Sequence, residues 1–588
     1  MGCSSRCSEI WSERSLILCC EDAETWSKHF LSKRRNILGG LTGAPIDVVA
    51  QSKMKKGAFA FAPRLRVSAA EWLSPLLVFL SLFLVYVFTL APGLTLWDSG
   101  EFLSAIHSLG IPHPPGTPLY VLIGNVWAKI FSPLVGFAYS INLLSALCSS
   151  IACGLMANLF VRWTGDRLAA YAAAICAGAT SSLWLSATET EVYSSALLIG
   201  CLIFWIADRA DMTRERKWLI LGAYVAGLGF ALHLTALLTV PAALYLAWSR
   251  KLLRDIPTLI IAFIVGASAV AFMLIRAKHD PSINQGNPST ISALVDVLLR
   301  KQYMPAPPWP RQAPIFIQIG NLFEYADWQV ALGLAPDPAP TLARTGLSVI
   351  FGLLGIAGFI EHRRINRRSW SAMLILFLTA TIGVLFYLNL KASPSFGGSF
   401  IPPNAKHEAR ERDYFFALAF MCWGLWAGFG AVRLARRVNG RAHRWLPAAA
   451  TLAAFVPVIF NWNAVSRRIE PAASEARRDA MRILTAAPER AVIFSHGDNE
   501  TYPVWYLQEV ESYRRDVTIV VVPLLPAVWY RAELARRQKL LTPDFVPTWR
   551  GAPQVVAALC AGAAREHRLA ADATFGTGAK IPVTCPNR

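Results

Sequence analysis

Long apolar stretches recur along this chain, and they limit its possible folds more than any other feature. Stretches near or above the roughly 20 residues needed to cross a bilayer recur between Trp72 and about Trp462. With 54% hydrophobic and only 16% charged residues, the 588-residue chain is too apolar for a soluble protein of this length. The sequence therefore predicts a mainly α-helical, polytopic membrane protein. The predicted spans are 72–91, 140–161, 168–186, 192–207, 217–232, 235–248, 256–276, 345–360, 370–390, 413–433 and 445–461.

The charged residues predict which loops lie in the cytoplasm. Membrane proteins concentrate Lys and Arg in cytoplasmic loops, which also accounts for the formal net charge of +19 without invoking nucleic acid. The apolar run 118–133 carries Lys129 and follows a Pro-rich turn, so we assign it as an interfacial or re-entrant helix. Counting it as a span would place the basic loops outside. The prediction is about eleven spans, with the amino terminus inside and the carboxyl terminus outside. The basic loops are 162–167, 208–217, 249–255, 361–368 and 433–444.

Composition divides the chain into three predicted parts. Residues 1–70 form a poorly structured cytoplasmic tail, of which 1–53 is either dispensable or an over-long reading of the gene. Residues 71–462 form the transmembrane domain, and residues 463–588 an extracytoplasmic α/β domain. In the last part, AVIFS and DVTIVVV predict two strands flanking a helix around 501–511.

Two further features of this last part have open interpretations. The GDNET segment follows the first strand, where α/β folds often bind ligands, although it is also ordinary turn chemistry. Acceptor recognition and a lid both remain possible for it. Cys560 and Cys585 lie on the predicted outer side, where a disulfide between them would persist.

Two carboxylates, Asp98 and Glu101, directly follow the first apolar run, in the segment LTLWDSGEFLSAIHSLGIPHPPGTPLY. The segment contains no Lys or Arg to neutralise them. A solvated acidic loop would explain them equally well if the segment stood alone. However, the predicted outer face also gathers HPPG, TETEVY, His233 and the Arg-containing segment 389–416. This grouping favours a shared extracytoplasmic site.

Five ordered motifs carry a family resemblance: WDSGEF, HPPGTPLY, TETEVY, ARERDYFF and GDNETYPVWYLQEVESYRRDV. Together, over about residues 72–530, they resemble the polytopic protein O-mannosyltransferase-like family, known in bacteria as the domain of unknown function 2723. This family looks like the GT-C class of integral-membrane glycosyltransferases. The resemblance implies a polyprenyl-phosphate sugar donor, a mannose-like sugar, and a hydroxyl acceptor, protein Ser or Thr, on the outer side of a bacterial inner membrane.

The resemblance also implies a catalytic role for the first outer loop. GT-C enzymes carry an acidic residue near the end of the first span, and Asp98 matches that position. If 99–109 is helical, Asp98 is its N-cap and Glu101 lies one turn on, so both acids point the same way. Asp98 is the expected general base for the acceptor hydroxyl. Glu101 could share that role, orient the acceptor or bind a cation, or it could simply stabilise the helix N-terminus.

Binding of the lipid phosphate requires positive charge where negative charge develops. Arg410, Arg412 and Lys391 are the candidates, although Arg412 could instead pair with Glu411 or Asp413. The remaining candidates for donor or acceptor binding, each with a structural alternative as a packed or solvated side chain, are His113, Glu191 and His233.

No cofactor is predicted, because no cysteine or histidine spacing resembles a zinc site, and a divalent cation has no support in the sequence. Two alternatives to the protein acceptor remain open. One is a glycosyltransferase with a lipid or cell-surface glycan acceptor, and the other is a non-enzymatic transporter or flippase of lipid-linked sugars.

Overall fold

The computed structural model of the chain describes residues 61–248, 250–396, 406–438 and 445–573. The predicted amino-terminal tail up to residue 60 lies outside these ranges, as does Cys585. The predicted Cys560–Cys585 bridge therefore stays a prediction, although Cys560 itself is buried and disulfide-bonded.

Helices account for most of the described chain, as the apolar composition predicts. Short 3₁₀ or π turns join several of them, for example Leu234–Thr239 and Thr379–Gly383. The helices of the membrane part are α1 (Phe61–Thr89), α2 (Ser99–Ser108), α3 (Pro118–Val135), α4 (Phe137–Thr164), α5 (Arg167–Gly178), α6 (Ser181–Ala187), α7 (Val192–Thr213), α8 (Arg216–Leu232), α9 (Val240–Ala247), α10 (Arg250–Ala267), α11 (Ala271–Ala277), α12 (Ile291–Leu298), α13 (Ile315–Asp327), α14 (Leu342–Ile365), α15 (Arg367–Leu378), α16 (Val384–Leu388), α17 (Ala417–Val438), α18 (Leu446–Ala453) and α19 (Val456–Val465).

Within the described residues, nine helical segments are long and apolar enough to cross a membrane, or ten if α5 and α6, which are bent by 73°, count as one. The chain is thus a multi-pass membrane protein. The difference from about eleven predicted spans has two sources. Helix α8 and the segment Leu234–Ala247 are too short to count as spans. Helix α3, in contrast, was predicted to be interfacial, but with 18 residues it has the length and composition of a membrane span.

Helix α17 lies at the centre of the bundle, and 83% of the apolar stretch that it contains is buried. Small residues allow its backbone to approach α5 closely. A Cβ added at Gly428 would lie 2.3 Å from the carbonyl oxygen of Ala172, too close for any side chain. Close backbone approach through Gly and Ala is how membrane helices gain packing energy, since lipid and protein interior are equally apolar.

The carboxyl-terminal part is a small α/β domain, as predicted. Its three strands form a parallel sheet in the order β2-β1-β3, so the two predicted strands pair and an unpredicted third strand joins them. Parallel strands need crossover connections, and helices supply them here. The elements are α20 (Glu475–Ala486), β1 (Val492–Ser495), α21 (Asp498–Glu509), β2 (Thr518–Val521), α22 (Val528–Gln538), α23 (Ala552–Arg565) and β3 (Ala570–Asp572).

The α/β domain packs directly on helix α2 of the membrane part. Phe102 and Leu103 of α2 share one buried apolar cluster with Leu484 and Val504 of the α/β domain. The two backbones also touch, because a Cβ at Gly100 would lie 2.3 Å from the carbonyl oxygen of Tyr502. The glycine of the WDSGEF motif is therefore explained by the close approach of α21.

Candidate active site

Helix α2 places the two acids of the first loop. It spans Ser99–Ser108, close to the predicted 99–109, with Asp98 in the N-cap position. The Asp98 carboxylate makes no capping hydrogen bond, however. It instead accepts a hydrogen bond from Nη2 of Arg410 at 2.6 Å. The two predicted residues, 312 positions apart in the chain, thus form one ion pair.

The Asp98–Arg410 pair is largely withdrawn from solvent, with side chains 9% and 13% exposed. The guanidinium lies 5.0 Å from the ring centre of Trp97 and 4.9 Å from that of Tyr414, a cation–π arrangement. Burial would raise the pKa of Asp98, but attraction to Arg410, and then to His113, holds this pKa below its usual value. Asp98 is therefore ionised at neutral pH, as a general base must be.

Glu101 forms a second polar group with His113. Its carboxylate accepts hydrogen bonds from the backbone N–H of His113 at 2.8 Å and from Nε2 of Gln285 at 2.5 Å, and it contacts Nδ1 of His113 at 2.5 Å. Burial raises the pKa of Glu101, against the attraction of His113. Burial lowers the pKa of His113, but Glu101 more than offsets this and raises it to about 9. His113 and Gln285 thus fix the position of the Glu101 carboxylate, which belongs to a hydrogen-bond group separate from the Asp98–Arg410 pair.

Glu191 lies beside the ion pair because a hydrogen-bond network joins its loop to the loop before α2. Asn142 donates to the carbonyls of Ala91 and Gly93, and it accepts from the hydroxyl of Thr190 at 2.6 Å. Glu191 is 8% exposed, and none of the residues that the structure describes forms a hydrogen bond with its Oε2. Burial, followed by repulsion from Asp98, raises the pKa of Glu191 well above its usual value.

Arg412 lies next to the ion pair, and its side chain is held by neither Glu411 nor Asp413. It donates to the hydroxyl of Tyr414 at 2.6 Å and to Glu408 at 3.4 Å. The expected partners, Glu411 and Asp413, bind elsewhere: Glu411 accepts from the N–H of Ser395, and Asp413 from the hydroxyl of Ser182. The predicted pairing of Arg412 with its sequence neighbours is therefore wrong, because the backbone turns these acids away from it.

Two predicted binding residues are less closely tied to this centre. His233 stacks edge-on against Tyr193 at 5.3 Å, and its Nδ1 contacts the hydroxyl of Thr235. Tyr193 packs against Tyr414, the ring beside Arg410, so His233 is connected to the ion pair through two aromatic rings. Lys391 is anchored through its backbone, whose N–H donates to Glu408. Within the described residues, no side-chain hydrogen bond or ion pair holds the ammonium of Lys391.

The α/β domain adds groups that the sequence did not identify as site residues. The backbone N–H of Trp97, which has a left-handed φ of 63°, donates to Oδ1 of Asn499 at 2.6 Å. Electrostatic interaction links Asp498 to Asp98, Arg410, His113 and Arg412. The signal available in the sequence was the position of GDNET at the end of a strand, but no pattern showed which loop it would face.

The arrangement combines an ionised carboxylate with guanidinium groups at one end of the helix bundle, where a hydroxyl could be deprotonated beside a bound anion. Among the described residues, no cluster of three or more His, Cys, Asp or Glu side chains is placed to hold a metal ion.

Two family models match parts of the chain that contribute residues to this site. The Protein O-mannosyl-transferase TMEM260 N-terminal domain matches residues 98–255, and TMEM260-associated domain 2 matches residues 476–543. The resemblance predicted from the sequence is confirmed. The first match begins at Asp98 and the second covers Asp498 and Asn499, whereas Arg410 and Arg412 lie outside both matches.

Curated relatives extend the similarity beyond these regions. The chain is 25% identical over 487 residues to "Protein O-mannosyl-transferase TMEM260" of Mus musculus, covering 78% of this chain and 64% of the relative. It is 24% identical over 251 residues to the Dictyostelium discoideum protein of the same name, covering 39% of this chain and 30% of the relative. The chain thus spans less than two thirds of the length of either relative.

Solved structures resemble the chain more distantly. Apo ArnT from Cupriavidus metallidurans has a TM-score of 0.48 at 12% identity, covering 80% of this chain and 92% of ArnT. The archaeal oligosaccharyltransferase AglB from Archaeoglobus fulgidus has a TM-score of 0.38 at 13% identity, covering 74% of this chain and 59% of AglB.

Proposed function

We propose that this protein is a GT-C-type glycosyltransferase that moves a mannose-like sugar from a polyprenyl-phosphate donor to a protein Ser or Thr hydroxyl. The observation that carries this proposal is the Asp98–Arg410 ion pair, at 2.6 Å, in a site withdrawn from solvent. The names of the relatives, protein O-mannosyl-transferases, support the sugar and the acceptor. We place the site on the outer face of a bacterial inner membrane, because the basic loops lie at the opposite ends of the helices.

In this proposal, Asp98 is the general base. Its low pKa keeps it ionised but also makes it a weak base while Arg410 neutralises it. When the phosphate of the donor arrives, the guanidinium of Arg410 is shared between the two anions, because a planar fork can bind both. Asp98 then gains basicity at the moment when the acceptor hydroxyl must lose its proton. A single displacement follows, in which the sugar moves to the hydroxyl and the lipid phosphate leaves with its negative charge beside Arg410 and Arg412.

Reconstitution in liposomes with radiolabelled polyprenyl-phosphate mannose tests this function. Separate analysis of protein, glycan and lipid products distinguishes the protein acceptor from the alternative acceptors, and label that merely crosses the bilayer would indicate a flippase.

The Asp98→Asn variant tests the base, because it keeps the shape of the side chain and removes its basicity. We expect turnover to fall by about 10²- to 10⁴-fold while donor binding persists. Near-normal turnover in this variant would contradict the role of Asp98. The matched control is Asp166→Asn, since Asp166 pairs with Arg433 and Arg436 on a loop that we assign to the cytoplasm.

A further inference from the structure

Asp498 and Asn499 occupy the edge of the α/β sheet at which ligands bind in such folds. They follow the end of β1, the central strand, and begin helix α21. The neighbouring strand β3 ends at Asp572 on the same edge, where its carboxylate meets Nε2 of His496 at 3.1 Å. In parallel α/β sheets, ligands bind outside the carboxyl ends of the strands.

This edge faces the candidate active site. The hydrogen bond from Trp97 N–H to Asn499 fixes the first turn of α21 beside Asp98, and the contact of Gly100 with Tyr502 fixes the second. The side-chain oxygen of Asn499 is already engaged in this hydrogen bond. Asp498, its neighbour, accepts no hydrogen bond from any described residue and is exposed.

Charge ties Asp498 to the reacting groups. The negative charge of Asp98 repels the carboxylate of Asp498, whereas the charges of Arg410 and His113 attract it. Repulsion between two carboxylates disfavours the charged form of each, and a hydrogen-bond donor that binds the carboxylate favours it. None of the hydrogen bonds among the described residues holds the carboxylate of Asp498. Asp498 is therefore not explained by the packing of the domain.

Glu191 gives an independent indication of a ligand in the same space. Its Oε2 is buried without a hydrogen-bond partner among the described residues, and the carboxyl interacts electrostatically with Asp98 and Arg410. A buried polar atom without a partner is costly, so an unsatisfied carboxyl oxygen of this kind beside Asp98 and Arg410 indicates a missing polar ligand.

We propose that Asp498 is a substrate-binding residue for the acceptor peptide, supplied to the membrane-embedded site by the α/β domain. This inference rests on the proposed function. A lipid-linked donor reaches Asp98 and Arg410 from the bilayer, whereas a polar peptide must approach from the aqueous side, where the α/β domain lies. The carboxylate of Asp498 accepts a hydrogen bond from a main-chain N–H or hydroxyl of the peptide and holds the reacting hydroxyl near Asp98.

The test compares Asp498→Asn with Glu509→Gln in the liposome-reconstituted full chain. Glu509 ends the same helix and accepts a hydrogen bond from Ser282, so this control removes the same charge at the same domain contact but away from the site. A synthetic Ser/Thr peptide serves as acceptor and polyprenyl-phosphate mannose as donor. Three quantities are measured: the KM for peptide, the affinity for donor, and the rate of sugar transfer to water without peptide.

We expect Asp498→Asn to raise the KM for peptide by about 10- to 150-fold, the loss of one charge-assisted hydrogen bond. Donor affinity and transfer to water should stay at the control level. An unchanged KM, or an equal loss of transfer to water, would overturn the acceptor role while leaving the proposed function intact. Absence of any transfer by the wild-type protein would instead contradict the proposed function. If Asp498→Asn does not fold, Asp498→Ser, a good residue for a helix start, provides the same comparison.

Discussion

Replacing Gly100 by Ala should loosen the contact between the α/β domain and the membrane part. The added Cβ would lie 2.3 Å from the carbonyl oxygen and 2.5 Å from the carbonyl carbon of Tyr502. Both atoms belong to the backbone, so no side-chain rotation can relieve the overlap. Helix α2 or α21 must therefore move by roughly 1 Å to restore ordinary van der Waals contact.

The size of the effect follows from the cost of overpacking. Extra methyl groups in a well-packed interior typically cost about 1–3 kcal/mol. At about 1.4 kcal/mol per factor of ten, this raises the population with an undocked α/β domain by about 5- to 150-fold. The hydrogen bond from Trp97 N–H to Asn499, which is 2.6 Å long, joins the same two segments, so the movement should lengthen or break it.

Limited proteolysis of the purified protein at Tyr506 and Leu507, which are buried at the domain contact, measures the undocked population, because a protease reaches these residues only when the domains separate. The matched control is Gly93→Ala, since a Cβ at Gly93 meets nothing within 4 Å. We expect faster cleavage in Gly100→Ala than in Gly93→Ala and a parallel loss of sugar transfer. Equal cleavage rates in the two variants would refute the claim that the WDSGEF glycine exists for this contact.

Three further predictions address charge and topology. Arg410→Ala should raise the pKa of Asp98, so the acid limb of kcat/KM should move to higher pH in rate measurements between about pH 4 and 8. Because the pKa of His113 is raised to about 9 from 6.5, its contribution to stability should be complete below pH 6.5 and lost as pH rises through about 9; thermal melts of wild type and His113→Gln should converge at the alkaline end. Reporter fusions at about residue 365 and after residue 470 should report cytoplasm and exterior respectively, and a shared compartment would contradict the topology.

The sequence predicted the elements of this fold well where periodicity and composition decide them. The apolar runs became helices, and AVIFS and DVTIVVV became paired parallel strands. The third strand, Ala570–Asp572, was missed because three residues of Ala and Asp carry no strand signal. The number of crossings differs because two predicted spans, α8 and the segment Leu234–Ala247, are too short, and α3 restores only one of the two by its length and composition.

Prediction of the site was limited by long-range contacts. Motif order identified Asp98 and Arg410 as candidates, but their direct pairing depends on how the first and tenth predicted spans pack. Pairing rules based on neighbouring residues gave Arg412 the wrong partners, because an irregular loop does not keep its neighbouring side chains on one side. The GDNET segment, which contains Asp498, was noted as a possible ligand-binding turn, but its position beside Asp98 was not predicted. The face that a separate domain presents to the membrane part is set by packing between apolar surfaces such as Phe102 and Val504.

The distance in sequence between the parts of the site has a consequence for biosynthesis. Asp98 is synthesised early, Arg410 follows 312 residues later, and Asn499 lies 402 residues after its partner Trp97. A nascent chain therefore holds an unpaired acid at the end of its first span for most of its translation. The site closes only when the α/β domain has been completed and has docked. Chains released before that point should lack a formed site, so premature termination would leave inert membrane protein and not a partly active enzyme.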